Sequence, residues 1–191
     1  MTERAGSRRG RSNDPERRDR IIDACLATIA EAGVAGASLR RIADAANVPL
    51  GSVSYHFASR EELLFEAFTR FAASVSDRFD RRMATAADLT EARAAVVAIL
   101  VEDLFGDSPE HVLTHELYTL AARDPAYRSV TTAWMRRSRA ALERHFSPAT
   151  ASMLDALIEG LSIHHALDDE PRDPDEIVRA ITLITSPEGS A

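Results

Sequence analysis

The stretch SLRRIADAANVPLGSVSYHF, residues 38–57, holds two short apolar-patterned segments separated by a turn, with arginine, hydroxyl, tyrosine and histidine side chains gathered around them. In the first segment Leu39, Ile42, Ala43 and Ala46 recur at helical spacing behind Ser38, whose hydroxyl suits the N-cap of a helix. Asn47 stands where that helix must stop, and asparagine tolerates the left-handed conformation that such stops use. Pro49 suits the start of a second helix, where its missing N–H costs nothing. That helix, roughly residues 50–57, is expected to expose Leu50, Ser52 and Tyr55 and to turn Val53 and Phe57 inward. Two short helices joined by a tight turn, the second polar outside, form a helix-turn-helix, whose second helix enters the major groove of DNA. Arginine matches the acceptors of guanine there, an apolar contact reads the thymine methyl, and hydroxyls and tyrosine suit phosphate oxygens. A helical hairpin with a solvated polar face would carry the same pattern.

The charge distribution favours the first reading. All basic charge comes from arginine, with no lysine in the 191 residues. Residues 1–60 carry ten arginines against seven acids, a net of +3, whereas residues 61–191 carry thirteen against twenty-three, a net of −10. Such asymmetry points to an N-terminal part that meets a polyanion and a C-terminal part that does not. Apolar residues make up 45% of the chain, enough for a globular core. No apolar run approaches the ~18 residues of a membrane span, and the N-terminus has no apolar leader segment, so the expected compartment is the cytoplasm. The lone Cys25 falls in an apolar helical pattern and reads as a small core residue.

Working outward from residues 38–57, every further segment reads as helix. Residues 1–14, MTERAGSRRGRSND, form a polar, arginine-rich arm expected to be disordered. From Pro15 a helix carries Ile22, Cys25, Leu26, Ile29 and Ala30 on one stripe, with Gly33 as its C-cap. Ser59 and Glu62 make a capping box that opens a long helix through Leu64, Phe68, Phe71, Val75 and Phe79. Later helices are predicted from about Thr90 to a stop at Gly106, and from Ser108-Pro109 to Asp124-Pro125. Another runs through Tyr127, Val130, Trp134, Leu142 and Phe146. The last two open at Ser147-Pro148 and Asp173-Pro174. No strand and no internal repeat is apparent.

The segment RIIDACLATIAEAGVAGASLRRIADAANVPLGSVSYHFASREELL, residues 20–64, resembles the N-terminal domain of the TetR family of transcriptional regulators. The resemblance rests on the aliphatic pair opening the first helix, Gly33, the hydroxyl before LRRIA, Val48 in the turn, Gly51, YHF and SREELL. Further on, LAARDPAYR, residues 120–128, resembles a stretch found in the more variable ligand-binding half of that family. The family implies an all-α fold: a three-helix helix-turn-helix domain, then a larger helical ligand-binding and dimerisation domain. The implied boundaries are a basic arm at 1–14, the DNA-binding domain at 15–60, the effector domain at 61–185 and a flexible tail at 186–191.

Family roles transfer position by position. Ser38 and Arg40 stand where the family touches phosphate and reaches a base edge. Leu50, Ser52 and Tyr55 occupy groove-facing positions, and Ser54 replaces a usual aromatic, which weakens one backbone contact. Arg60 stands where the family has a phosphate-binding lysine, keeping the charge but not the geometry. His56 braces helix ends rather than contacting DNA. The seven arginines between Arg4 and Arg20 offer minor-groove or phosphate contacts, or merely a solvated tail.

The resemblance further implies an effector pocket and a dimer. Polar or aromatic residues on the apolar stripes, namely Phe68, His115, Tyr118, Trp134, Met135 and His164, are the pocket candidates, although aromatics at helical spacing also build cores. The helices at 148–167 and 174–184 are expected to form a four-helix bundle with a second copy. Leu154, Leu157, Ile158, Leu161 and Ile163 cover more than one face of the first of them, and Gly160 would permit close approach. The implied partners are thus palindromic double-stranded DNA, a second copy and an unknown small molecule. The helix opening at Ser59 spans both halves and is the expected route between them.

Enzymatic readings find little support. HELYT, from His115, begins like a zinc-protease signature but has Thr119 where the second histidine belongs, and the pair His111 and His115 lacks a third ligand. No phosphate loop or nucleophile elbow is present, and no cofactor is expected. The rival to a repressor is a helical ligand-binding or scaffolding protein that does not bind an operator.

Overall fold

The computed structural model describes residues 16–104, 109–168 and 173–186. The arm at 1–14, Pro15, the expected stop at Gly106, the expected cap at Ser108 and residues 187–191 of the tail lie outside them. Among the described residues the chain is all helix, without a strand. None of these helices is long and apolar enough to cross a membrane.

Local capping sets most of the helix starts. The Ser38 hydroxyl accepts from the Arg41 N–H and opens α2, Leu39–Ala45. Ser59 accepts from the Glu62 N–H at 3.1 Å and opens α4, Arg60–Thr85, while the Glu62 carboxylate accepts from the Ala58 N–H. Asp88, Asp124, Ser147 and Asp173 do the same for α5 (Leu89–Ala98), α7 (Pro125–Leu142), α8 (Pro148–Leu167) and α9 (Pro174–Thr185). The first helix, α1, spans Arg17–Gly36 but breaks at Gly33, whose φ of 68° is left-handed. The final turn, residues 34–36, then leads into α2.

Between α2 and α3 (Leu50–His56) the chain stops and restarts through a Schellman turn. Asn47, the one non-glycine residue at positive φ among the described residues, sits at 52°. The Val48 N–H donates to Ala43 O at 3.0 Å and the Asn47 N–H to Asp44 O at 3.1 Å. Pro49 precedes α3, and its carbonyl accepts the Ser52 N–H.

One difference from the sequence expectation lies after α5. The apolar run does not continue as α-helix but widens into a π-helical turn, Ile99–Leu104. Then α6, Glu110–Ala121, follows with Pro109 at its cap.

Two hydrophobic clusters share α4. Ile21, Ile29, Ile42, Val53 and Phe57 join the first half of α4 and continue into Leu117, Tyr127 and Trp134. The second half of α4, through Phe79 and Met83, packs with Val96, Leu100, Leu142, Leu154, Ile177 and Ile181. The core of the small N-terminal unit is therefore continuous with α6 and α7. Cys25 lies inside it with no exposure, and burial pushes its thiol pKa up to about 12, which leaves it inert.

Candidate nucleic-acid interface and ligand cleft

The turn between α2 and α3 aims a row of side chains outward. Val53 and Phe57 anchor α3 in the core, so the opposite face is left to solvent. Tyr55 is 84% exposed and Leu50 42%, so both are available to a surface that docks against α3. Ser54 is exposed and Ser52 half-buried beside them, with Gly51 in open space. Ser38 and Arg40 stand exposed at the start of α2. Among the described residues no carboxylate pairs with Arg40, whereas its neighbour Arg41 is held by Glu31 at 2.9 Å. A free guanidinium, three serine hydroxyls, a phenol and an aliphatic side chain thus share one surface. These groups can bind phosphate and read base edges.

Arg60 is placed differently from the others. Its Nε donates to Ala37 O at 2.7 Å and its Nη2 to Val34 O, with Glu61 at 3.9 Å. The guanidinium closes the carbonyl end of α1, where a cation opposes the negative end of the helix dipole. Its first job is to hold α1 against the start of α4. His56 lies at the end of α3, edge-on to Tyr55 and tilted against Phe57.

In the larger half, a cleft opens between α4, α7 and α8. Val75, Phe79, Ile99, Trp134 and Ile158 supply apolar walls; Arg78, Ser138, Asp155 and Glu159 supply polar ones. In this state it is nearly closed, with a cavity volume of about 40 Å³. Trp134 also lines a second hollow of about 280 Å³ between α4 and α7.

Of the six pocket candidates, Trp134 lines this cleft. Tyr118 borders it: its buried hydroxyl faces Glu159 but finds no well-formed hydrogen bond. Phe68 is fully buried in the first cluster against Tyr127, and Met135 is half-buried outside the cleft. His164 points to solvent beside Asp168 at 3.8 Å. His115 is half-buried on α6, and burial, then the nearby His111, lowers its pKa. His111 itself meets His165 edge-on at 5.8 Å. Among the described residues no three such ligand side chains converge as a metal site.

The acids Asp155 and Glu159 were not singled out from the sequence. One signal was there: two carboxylates four apart on an otherwise apolar helix share a face. Burial raises the pKa of both. Arg139, 3.4 Å from Asp155, counters the effect there. At Glu159 the Tyr118 hydroxyl offsets it in part, while the Asp155 charge adds to it.

The expected interface residues divide by face. Leu154 and Ile158 are buried in the chain's own core. Leu157 and Leu161 are half-buried against that core. The outward stripe of α8 is instead Met153, Ala156, Gly160, Ile163 and Leu167, at alternating three- and four-residue spacing, with Leu167 73% exposed. A Cβ at Gly160 would meet nothing within 4 Å, so the backbone is bare there. On α9, Val178 and Leu183 extend the apolar surface.

Comparison with known proteins agrees with this architecture. The family model described as "Bacterial regulatory proteins, tetR family" matches residues 21–67, and one described as "Tetracyclin repressor-like, C-terminal domain" matches residues 84–184. The HTH-type transcriptional regulator BetI of Burkholderia mallei is 32% identical over 166 residues, covering 82% of this chain and 85% of its own length. A crystal structure of a transcriptional regulator from Streptomyces coelicolor A3(2) is 54% identical. It aligns over 91% of this chain and 100% of that one, with a TM-score of 0.83. The multidrug binding protein EbrR, complexed with ethidium, is 34% identical over 90% of this chain and 99% of its own, with a TM-score of 0.75.

Proposed function

This chain belongs to the tetR family of bacterial regulatory proteins, and from that premise we propose that it is a homodimeric repressor which leaves a palindromic operator when a small molecule enters its helical domain. It is a DNA-binding, ligand-responsive transcriptional regulator with an N-terminal helix-turn-helix. The observation that carries the DNA assignment is the exposed face of α3 beside the uncommitted Arg40. One such helix reads only a few base pairs, so two copies with recognition helices about 34 Å apart are needed for a specific site. The apolar stripe of α8 around Gly160, extended by α9, is the surface offered to the second copy.

Release needs a ligand that prefers a conformation unsuited to the operator. The cleft behind Trp134 is nearly closed, so a guest must part α4, α7 and α8 to enter. Two elements carry such a displacement toward DNA. The helix α4 runs from the cleft residues Val75 and Phe79 back to Arg60, which grips the end of α1. The helix α6 places Tyr118 at the cleft and Glu116 on α1, roughly 200° apart around its axis. A coupling of ~1–3 kcal/mol, or 5- to 150-fold in operator affinity, is the usual scale. Support for a small-molecule site comes also from EbrR, a multidrug binding protein of the same fold.

A mobility-shift titration on the DNA upstream of the protein's own gene tests the reading. Two copies should bind per duplex, and competitor DNA of random sequence should not displace them. Binding that random DNA removes readily would leave only a ligand-binding or scaffolding role.

A further inference from the structure

We propose that the cleft behind Trp134 takes an organic cation, an apolar or aromatic body with one positive charge, and that Glu159 is its counter-ion. The inference rests on reading this cleft as the effector site. It follows from a count of the charges that face the cleft. Asp155 is answered by Arg139 at 3.4 Å. Arg78, the one basic side chain on the wall among the described residues, is answered by Glu110 at 2.5 Å. Glu159 is left over. Its neighbours are the Tyr118 hydroxyl and the Asp155 carboxylate, and among the described residues no cation pairs with it.

A carboxylate withdrawn from water without a counter-ion is costly; Glu159 is half-buried, and desolvation holds its pKa above the ordinary value. A cation delivered beside it removes that cost, which an anion or a neutral guest cannot do. The rest of the wall suits such a guest. Trp134 and Phe79 supply aromatic rings that a positive charge can engage, and Val75, Ile99 and Ile158 cover an apolar body. The cavity of about 40 Å³ is too small for it, but Trp134 is a wall of both this cleft and the hollow of about 280 Å³. A turn of that ring would join the two. Ile99, on the cleft wall, begins the π-helical turn, a backbone form that frequently marks functional sites.

Three probes of similar size and different charge test the proposal: tetraphenylphosphonium, triphenylphosphine oxide and tetraphenylborate. Trp134 is the sole tryptophan, so its fluorescence reports occupancy directly. The phosphonium should quench it with the highest affinity and weaken operator binding. Glu159→Gln should lower the phosphonium affinity roughly 10- to 100-fold and leave the neutral oxide unaffected. Asp155→Asn, which removes an already paired charge, should matter less. If the oxide or the borate binds as well as the phosphonium, the cation assignment is overturned while the cleft survives as the effector site. If no probe changes Trp134 emission, both fall. If Glu159→Gln binds the phosphonium like wild type, the assignment of Glu159 is overturned. The wild-type comparison among the three probes decides the ligand class without any variant.

Discussion

The backbone N–H of Val34 donates to Glu116 Oε1 at 3.1 Å, joining α6 to the chain directly after the left-handed Gly33. Arg60 holds the carbonyls of Val34 and Ala37 from the other side. The last turn of α1, which positions the helix-turn-helix, is thus clamped between the helix that begins beside the DNA face and the helix that borders the cleft. Glu116→Ala should leave the fold and ligand binding intact but reduce the ligand's effect on operator affinity. Parallel titrations of Trp134 emission and DNA anisotropy measure this; unchanged coupling would remove α6 from the route.

Gly33 is required at the clamp for two reasons. Its φ of 68° disfavours any side chain, and a Cβ there would lie 2.5 Å from Glu116 Oε1. Gly33→Ala should therefore cost at least about 1–2 kcal/mol of stability, visible as a lower urea midpoint. A variant as stable as wild type would show that the kink relaxes freely.

Arg60 and Arg40 should part company. Arg60→Ala removes charge-assisted bonds to two carbonyls and should cost about 1.5–3 kcal/mol of stability together with operator affinity. Arg40→Ala, with no carboxylate partner among the described residues, should leave thermal stability unchanged. Any phosphate contact by Arg60 would appear separately, as a shallower salt dependence of binding.

The local signals in the sequence were the legible ones. Ser38, Asn47, Ser59, Asp124 and Ser147 act on backbone groups within a few residues, so their types alone announced the helix limits. The face of α3 was legible for the same reason, since Val53 and Phe57 name its inner side. Long-range pairings were not. Nothing near Arg60 indicates carbonyls 23 and 26 residues earlier, so it read simply as a phosphate ligand. On α8 apolar residues occupy several faces, and periodicity could not say that Leu154 and Ile158 turn inward while Ile163 and Leu167 turn out. Asp155 and Glu159 were not singled out because their burial depends on residues of α4, α6 and α7.

Dimerisation should respond to the outward stripe and not to the inward one. Ile163→Arg or Leu167→Arg should give soluble, folded monomers by sedimentation at micromolar concentration. Leu154→Arg should fail to fold, because the charge would enter the core of one chain. A dimer that tolerates both outward substitutions would place the interface elsewhere.

Glu159 should make stability depend on pH. Its folded pKa is raised by burial above the ordinary 4.5, so the folded state binds the proton more tightly than the unfolded one. The cost of the ionised group is absent below about pH 4.5, grows as pH rises through the raised value, and is complete above it. Glu159→Gln should accordingly melt higher than wild type at pH 8, with the gap closing toward pH 4. An equal difference at both pH values would mean that the carboxyl is not buried as described.

The central claim is that the face built by Arg40, Leu50, Ser52 and Tyr55 reads a specific DNA sequence. Fluorescence anisotropy on the protein's own upstream palindrome and a scrambled duplex, with wild type and Arg40→Ala, tests it most directly. Wild type should prefer the palindrome by about 10³-fold or more. Arg40→Ala should lose roughly 1–3 kcal/mol on it and relax the preference at one base pair per half-site. Equal wild-type affinity for the two duplexes, or an Arg40→Ala protein that binds the palindrome unchanged, would contradict it.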